Sequence, residues 1–296
     1  MKKIAILLLL LLACDKACAA SPAPKAKPAS IVVFDSILLG GFEDRKWISP
    51  AETATKIVGG ESYALYSSEK YLGNDIGSAV VQCTEGGSDC EIVSIQTNKS
   101  EDLSLLALHD KKGKLSWNPA PRKATMLGSE NETYKKVVKD ILAKNGLPDA
   151  RPQIMQIFRV DLEGDGVDEV VLYAQNIADP KEHPNKWKPD QSLLKDTGVR
   201  GGSKKGDYSL LLLRKIVGGK IQEILLDSFF ATRDGSPVDE KWVVPIVHKI
   251  FQFADVNGDG VMEILTGSAY YEGFSYSVYA VKGGDVKAVL TNGIGY

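Results

Sequence analysis

The sequence predicts a mainly β protein, with antiparallel four-stranded repeat units in its C-terminal half and a mixed α+β region before them. Three observations carry this. Residues 157–174 (IFRVDLEGDGVDEVVLYA) align with 251–268 (FQFADVNGDGVMEILTGS), an internal repeat. In each copy β-branched, apolar runs flank an Asp-rich loop and resume after Tyr208-Ser209 or Tyr276-Ser277. Gly218-Gly219 and Gly283-Gly284 then fall where a tight turn would join the last two runs of each copy. Each copy reads strand, Asp-rich loop, strand, return strand, Gly-Gly turn, last strand, which is one antiparallel meander.

At the N-terminus, Lys2 and Lys3 precede an apolar run over 4–14. That run is about half the roughly 20 residues a helix needs to cross a bilayer, so residues 1–20 read as an export signal peptide. Two processing routes fit. Ala17-Cys18-Ala19 matches the small-x-small cleavage pattern, and cutting after it leaves an even pair of cysteines. Leu11-Leu12-Ala13-Cys14 matches a bacterial lipobox with Cys14 as the lipidated residue, and the Pro/Ala/Lys linker of residues 21–30 would suit a tether from it. The first route gives a periplasmic or secreted protein; the second gives a membrane-anchored lipoprotein, and membrane contact is expected only if Cys14 is lipidated.

Residues 31–127 form the mixed α+β N-terminal region, with β-like runs at 31–39, 63–66, 78–96 and 103–109. Ser49-Pro50-Ala51-Glu52 reads as a capping box with proline at the first helical position, opening a short helix that stops before Gly59-Gly60. Export makes Cys83 and Cys90 a disulfide pair stapling a hairpin; their C-x6-C spacing lacks both the C-x-x-C pattern and a flanking His or Lys expected of a redox pair. Residues 128–152 hold an amphipathic helix and its connection. Ser129 with Glu132 reads as a second capping box, Tyr134, Val137, Val138, Ile141 and Leu142 share one face, and Asn145-Gly146 then Pro148 end the helix. Residues 153–296 hold the two repeats, the first enlarged by an insertion over 179–206.

The Asp-rich loops have the strongest chemical signal. Asp161, Glu163, Asp165 and Glu169 stand at loop positions 1, 3, 5 and 9, with Gly166 at position 6; Asp255, Asn257, Asp259 and Glu263 take the same places with Gly260. Such spacing wraps side-chain oxygens and the position-7 carbonyl around a hard cation, and glycine at position 6 permits the sharp turn. Calcium suits flexible all-oxygen sites, whereas magnesium demands a near-ideal octahedron. An EF-hand is excluded, because position 12 is Leu172 or Thr266 inside a β-like run. Solvated turns without metal are the plainer alternative, since Asp, Asn and Gly favour turns on their own. Two copies in one register, the first with five carboxylates over 161–169, favour the metal.

This D-x-x-G-D-G-x-x-E pattern followed by a β-run resembles the FG-GAP or VCBS-type repeats of integrin α-like β-propellers, over about residues 153–296. The resemblance implies blade-like repeats of a β-propeller, in which the loop joins the first two strands of a blade and holds structural calcium. By position the ligands would be Asp161, Glu163, Asp165, the Val167 carbonyl and Glu169, then Asp255, Asn257, Asp259, the Val261 carbonyl and Glu263. Two departures stand out. Glu163 replaces the usual Asp or Asn, and two copies fall short of the roughly four to eight blades of a closed propeller. Residues 31–127 either supply degenerate blades or form a separate domain.

Other function classes have less support. With 36 Lys plus Arg against 38 Asp plus Glu, the net charge of -2 supplies no basic field for nucleic acid. His109, His183 and His248 form no H-E-x-x-H, no G-x-S-x-G occurs, and Ser67-Ser68-Glu69-Lys70 lacks the companion motifs of S-x-x-K enzymes. The insertion carries seven Lys/Arg and four Asp/Glu together with Trp187 and His183; a solvated loop is its plainer reading, and a surface for a protein or an acidic glycan the sharper one. The expected function is an exported calcium-binding structural or binding module of the bacterial cell envelope. The alternative is an envelope hydrolase, acting on polysaccharide through catalytic carboxylates the sequence does not identify, with calcium in a structural role.

Overall fold

A computed structural model describes residues 30–83, 90–96, 104–110, 115–177, 202–235, 245–270 and 273–295. Residues 1–29, including Cys14 and most of the linker, lie outside the described residues, as do residues 179–201 of the insertion; Ser30 opens the first strand, and residues 202–206 of the insertion are described. Of the described residues, 54% are strand and 8% helix, in antiparallel sheets, and no closed barrel or propeller is formed among them.

The chain opens on β1 (Ser30–Phe34), β2 (Ile37–Glu43) and β3 (Lys46–Ile48). The single run expected over 31–39 is instead a hairpin. Asp35 and Ser36 turn it at φ 49° and 68°, and Asp44-Arg45 turn the next at 49° and 65°. These are two-residue hairpin turns without the glycine or asparagine that ordinarily marks them, so the apolar residues on both sides read as one strand. Gly40, at φ 128°, sits at the bulge where β2 shifts register against β1, and a Cβ there would lie 2.4 Å from the Ile48 carbonyl oxygen. Only glycine fits both demands.

Ser49 caps α1 (Pro50–Ala54), its hydroxyl accepting from the Glu52 N–H. There follow β4 (Ser62–Tyr66), β5 (Tyr71–Ile76), β6 (Val81–Cys83), β7 (Cys90–Ile92) and β8 (Leu106–Asp110). They join the first three strands in an eight-stranded sheet of order β5-β4-β8-β1-β2-β7-β6, with β3 on β2. Cys83 and Cys90 face each other across β6 and β7 at disulfide distance, with Cα atoms 5.2 Å apart.

After β9 (Thr125–Met126) comes α2 (Glu132–Lys144). Its cap is Asn131, whose Oδ1 accepts from the N–H groups of Thr133 and Tyr134, and not Ser129 as the sequence pattern proposed. Asn is as strong a cap as Ser, and starting at Glu132 keeps Val137, Val138, Ile141 and Leu142 buried on one face. Gly146 (φ 81°) ends the helix, with the Leu147 N–H returning to the Leu142 carbonyl.

The two repeats then form two meanders. β10 (Ile154–Val160), β11 (Glu169–Asn176), β12 (Tyr208–Val217) and β13 (Lys220–Phe230) pair sequentially, with β9 added beside β10. β14 (Val247–Ala254), β15 (Glu263–Tyr270), β16 (Gly273–Lys282) and β17 (Asp285–Gly295) form the second. Leu210, Leu212, Leu172 and Ile157 turn one face of the first meander toward α2, while Leu211, Leu213, Val171 and Val160 face a larger cluster. That cluster also takes in Val32, Phe34 and Leu108 of the N-terminal sheet and Ile264, Tyr276 and Val278 of the second meander. All three sheets therefore share apolar contacts. Buried polar links pin them: Gln156 donates to and accepts from the backbone of Ile250 (3.1 and 2.9 Å), and Tyr276 Oη donates to Asp35 (2.8 Å).

Candidate metal centre

The loop between β10 and β11 and the loop between β14 and β15 have one hydrogen-bond scheme. In the first, Asp161 Oδ1 accepts from the N–H groups of Gly164 (2.7 Å) and Asp165 (3.2 Å), and Oδ2 accepts from Gly166 (3.1 Å). In the second, Asp255 accepts from Gly258 (2.6 Å), Asp259 (3.0 Å) and Gly260 (2.8 Å) with the same two oxygens. Position 5 repeats as well, Asp165 and Asp259 each accepting from the N–H two residues on, at 2.9 Å. The closing glutamate reaches back to position 2: Glu169 accepts from Leu162 N–H (2.8 Å) and Glu263 from Val256 N–H (2.9 Å). Gly164, Gly166, Gly258 and Gly260 all stand at positive φ, which explains why the spacing needs them.

The loops lie side by side, with the Met262 N–H donating to the Leu162 carbonyl at 2.8 Å. The segment ahead of β9 straps them together. Arg122 donates to the carbonyls of Asp161 (2.5 Å), Leu162 (2.8 Å) and Gly260 (2.8 Å), and Trp117 Nε1 donates to the Asp255 carbonyl (2.7 Å).

The loops differ at position 3. Glu163 turns out of its own loop: one oxygen takes the Lys215 ammonium at 2.6 Å and the other the Gly283 N–H at 2.9 Å. Asn257 stays within its loop, its amide donating to Glu263 Oε1 (3.0 Å) and its oxygen accepting from Asp259 N–H (2.9 Å). The second loop is also the deeper, with Asp255, Asn257 and Glu263 at 2%, 3% and 1% exposure.

Burial raises the pKa of three of these acids. It pushes Glu263 well above the ordinary carboxylate range, the Val256 N–H opposing and the charges of Asp259 and Asp255 adding. Asp255 is raised by burial against the Gly260 N–H, with Asp259 adding. Glu169 is raised too, again by burial, but both the Leu162 N–H and Lys215 act to lower it.

Among the described residues, no three His, Cys, Asp or Glu side chains converge as a metal cluster. The donor chemistry of the second loop nevertheless fits a hard cation. Its groups are all oxygens, and a carboxylate oxygen that accepts one N–H keeps a second lone pair. Glu263 and Asp255 Oδ2 are in that condition.

Elsewhere, His109 bonds the Ser62 carbonyl through Nδ1 (2.9 Å), His248 is fully buried, and His183 lies outside the described residues. Cavities lined by Glu130, Lys135, Arg151 and Gln153 (about 220 Å³) and by Ser203, Arg233 and Asp234 (about 40 Å³) bring no two carboxylates together.

The sequence reading did not anticipate Lys215, Arg122 or Trp117. For Lys215 a signal existed: strand alternation places it on the face of Leu211 and Leu213, where a lysine is out of place without a partner. Comparison with known proteins gives no match among family models, curated proteins or solved structures.

Proposed function

We propose that the protein is an exported calcium-binding module of the cell envelope, built on FG-GAP or VCBS-type blade-like repeats, in which bound calcium stabilises the fold. The observation that carries this reading is the recurrence of one loop scheme at one junction, between the first and second strands of two meanders. Asp255, Asn257, Asp259, Glu263 and the Val261 carbonyl would hold the ion in the second loop; Asp161, Asp165, Glu169 and the Val167 carbonyl are the corresponding donors of the first. Calcium would neutralise carboxylates that burial otherwise drives toward protonation. A binding role would use the insertion over 179–206 toward a protein or an acidic glycan.

Calorimetric titration of the chelator-treated protein tests the reading. Saturable calcium binding that millimolar magnesium does not displace is expected. Equal response to both ions, or to neither, would remove it.

A further inference from the structure

We infer that Lys215 serves the loop of Asp161 and Glu169 as a resident cation, so that calcium enters the loop of Asp255 and Glu263 alone. This rests on the calcium reading above and adds its stoichiometry: one ion per chain, although two loops carry the motif.

Three observations point the same way. The Lys215 side chain is 1% exposed and its ammonium lies 2.6 Å from Glu163. A lysine so buried persists only when paired, and one step beyond the Val170–Arg214 pair it stands across from Glu169, where an ammonium opposes a divalent ion at that carboxylate. Next, Glu163 is committed outside its loop to Lys215 and to the Gly283 N–H, whereas its counterpart Asn257 bonds within its own loop. Finally, strand register identifies what replaces the lysine. Val170, just after Glu169, pairs with Arg214; Ile264, just after Glu263, pairs with Tyr279. The next residues along β12 and β16 are therefore equivalent, and they are Lys215 and Ala280. The first meander places a cation at the register position where the second places a methyl group.

The test counts bound ions by native mass spectrometry and by calcium titration of the chelator-treated full protein with its disulfide intact. The wild type should bind one calcium. K215M, which keeps the apolar stem and removes the charge, should bind two, and A280K should bind none. Terbium substituted for calcium should luminesce through Trp117, which touches Asp255, and W117F should lose most of that signal. Two ions in the wild type would overturn the inference while leaving the calcium reading intact; none would sink the reading itself. One ion in K215M would also overturn the inference. If K215M folds only in calcium, its ion count in calcium still decides: two ions support the inference and one overturns it. If A280K does not fold, the K215M count decides.

Discussion

His248 is fully buried in β14, edge-on to Tyr173 at 5.8 Å, and neither ring nitrogen has a hydrogen-bond partner among the described residues. Burial lowers its pKa to about 4, against the pull of Asp227 at 3.8 Å. The unfolded chain takes up this proton near pH 6.5 and the folded chain only near 4, so stability falls as pH drops through that window. Between pH 7.5 and 4.5 the loss from this one group is on the order of 3 kcal/mol. Urea midpoints at the two pH values should fall further in the wild type than in His248→Phe; equal losses would show that His248 is not the sensor. At the Asp-rich loops, Asp259→Asn should abolish the stabilisation by calcium, while Asp165→Asn should leave most of it if calcium enters the second loop alone. The tight turns of the Asp-rich loops and the cysteine pair were legible in the sequence because each is encoded within a few residues. Lys215 bonds a residue 52 positions away and Trp117 one 138 positions away, and no local pattern encodes such partners.

Elements follow the same division. The strands of the two repeats stand close to where alternation and the Gly-Gly turns place them, because pattern and turn chemistry agree there. β3 and β9 escaped notice, having too few residues for alternation to show, and β5, six residues long, because no position in it is buried. Docking of the two meanders rests partly on Gln156, whose amide satisfies both backbone groups of Ile250 at a bulge in β14. Gln156→Leu keeps the volume but strands a buried N–H and C=O, at a cost of about 1 to 3 kcal/mol each. Its melting temperature should fall by several degrees; an unchanged melt would mean that water or a shift of β14 replaces the amide. At the sheet edge, the disulfide between β6 and β7 closes a ring of eight residues, and chain entropy puts its contribution at about 2.5 kcal/mol. Reduction should lower the melting temperature and speed amide exchange in β6 and β7 first; unaltered exchange there would assign the staple no role in the edge.

For the whole molecule, the mainly β class was legible from composition and periodicity, whereas the order of the N-terminal sheet was not. β8 inserts between β1 and β4, and β7 pairs with β2, so strands distant in sequence become neighbours without a local signal. The loops of the two meanders meet under Arg122, so an ion held in one of them braces contacts between sheets as well as its own turn. With calcium at about 100 times its dissociation constant, one ion adds roughly 2.7 kcal/mol, or about 4 to 5 °C for a chain of this size. The most direct measurement is a thermal melt of the oxidised protein in EDTA, in millimolar calcium and in millimolar magnesium. A rise of that order in calcium alone is the predicted result; coincident melts in all three would contradict a calcium-braced fold and leave the Asp-rich loops as ordinary turns.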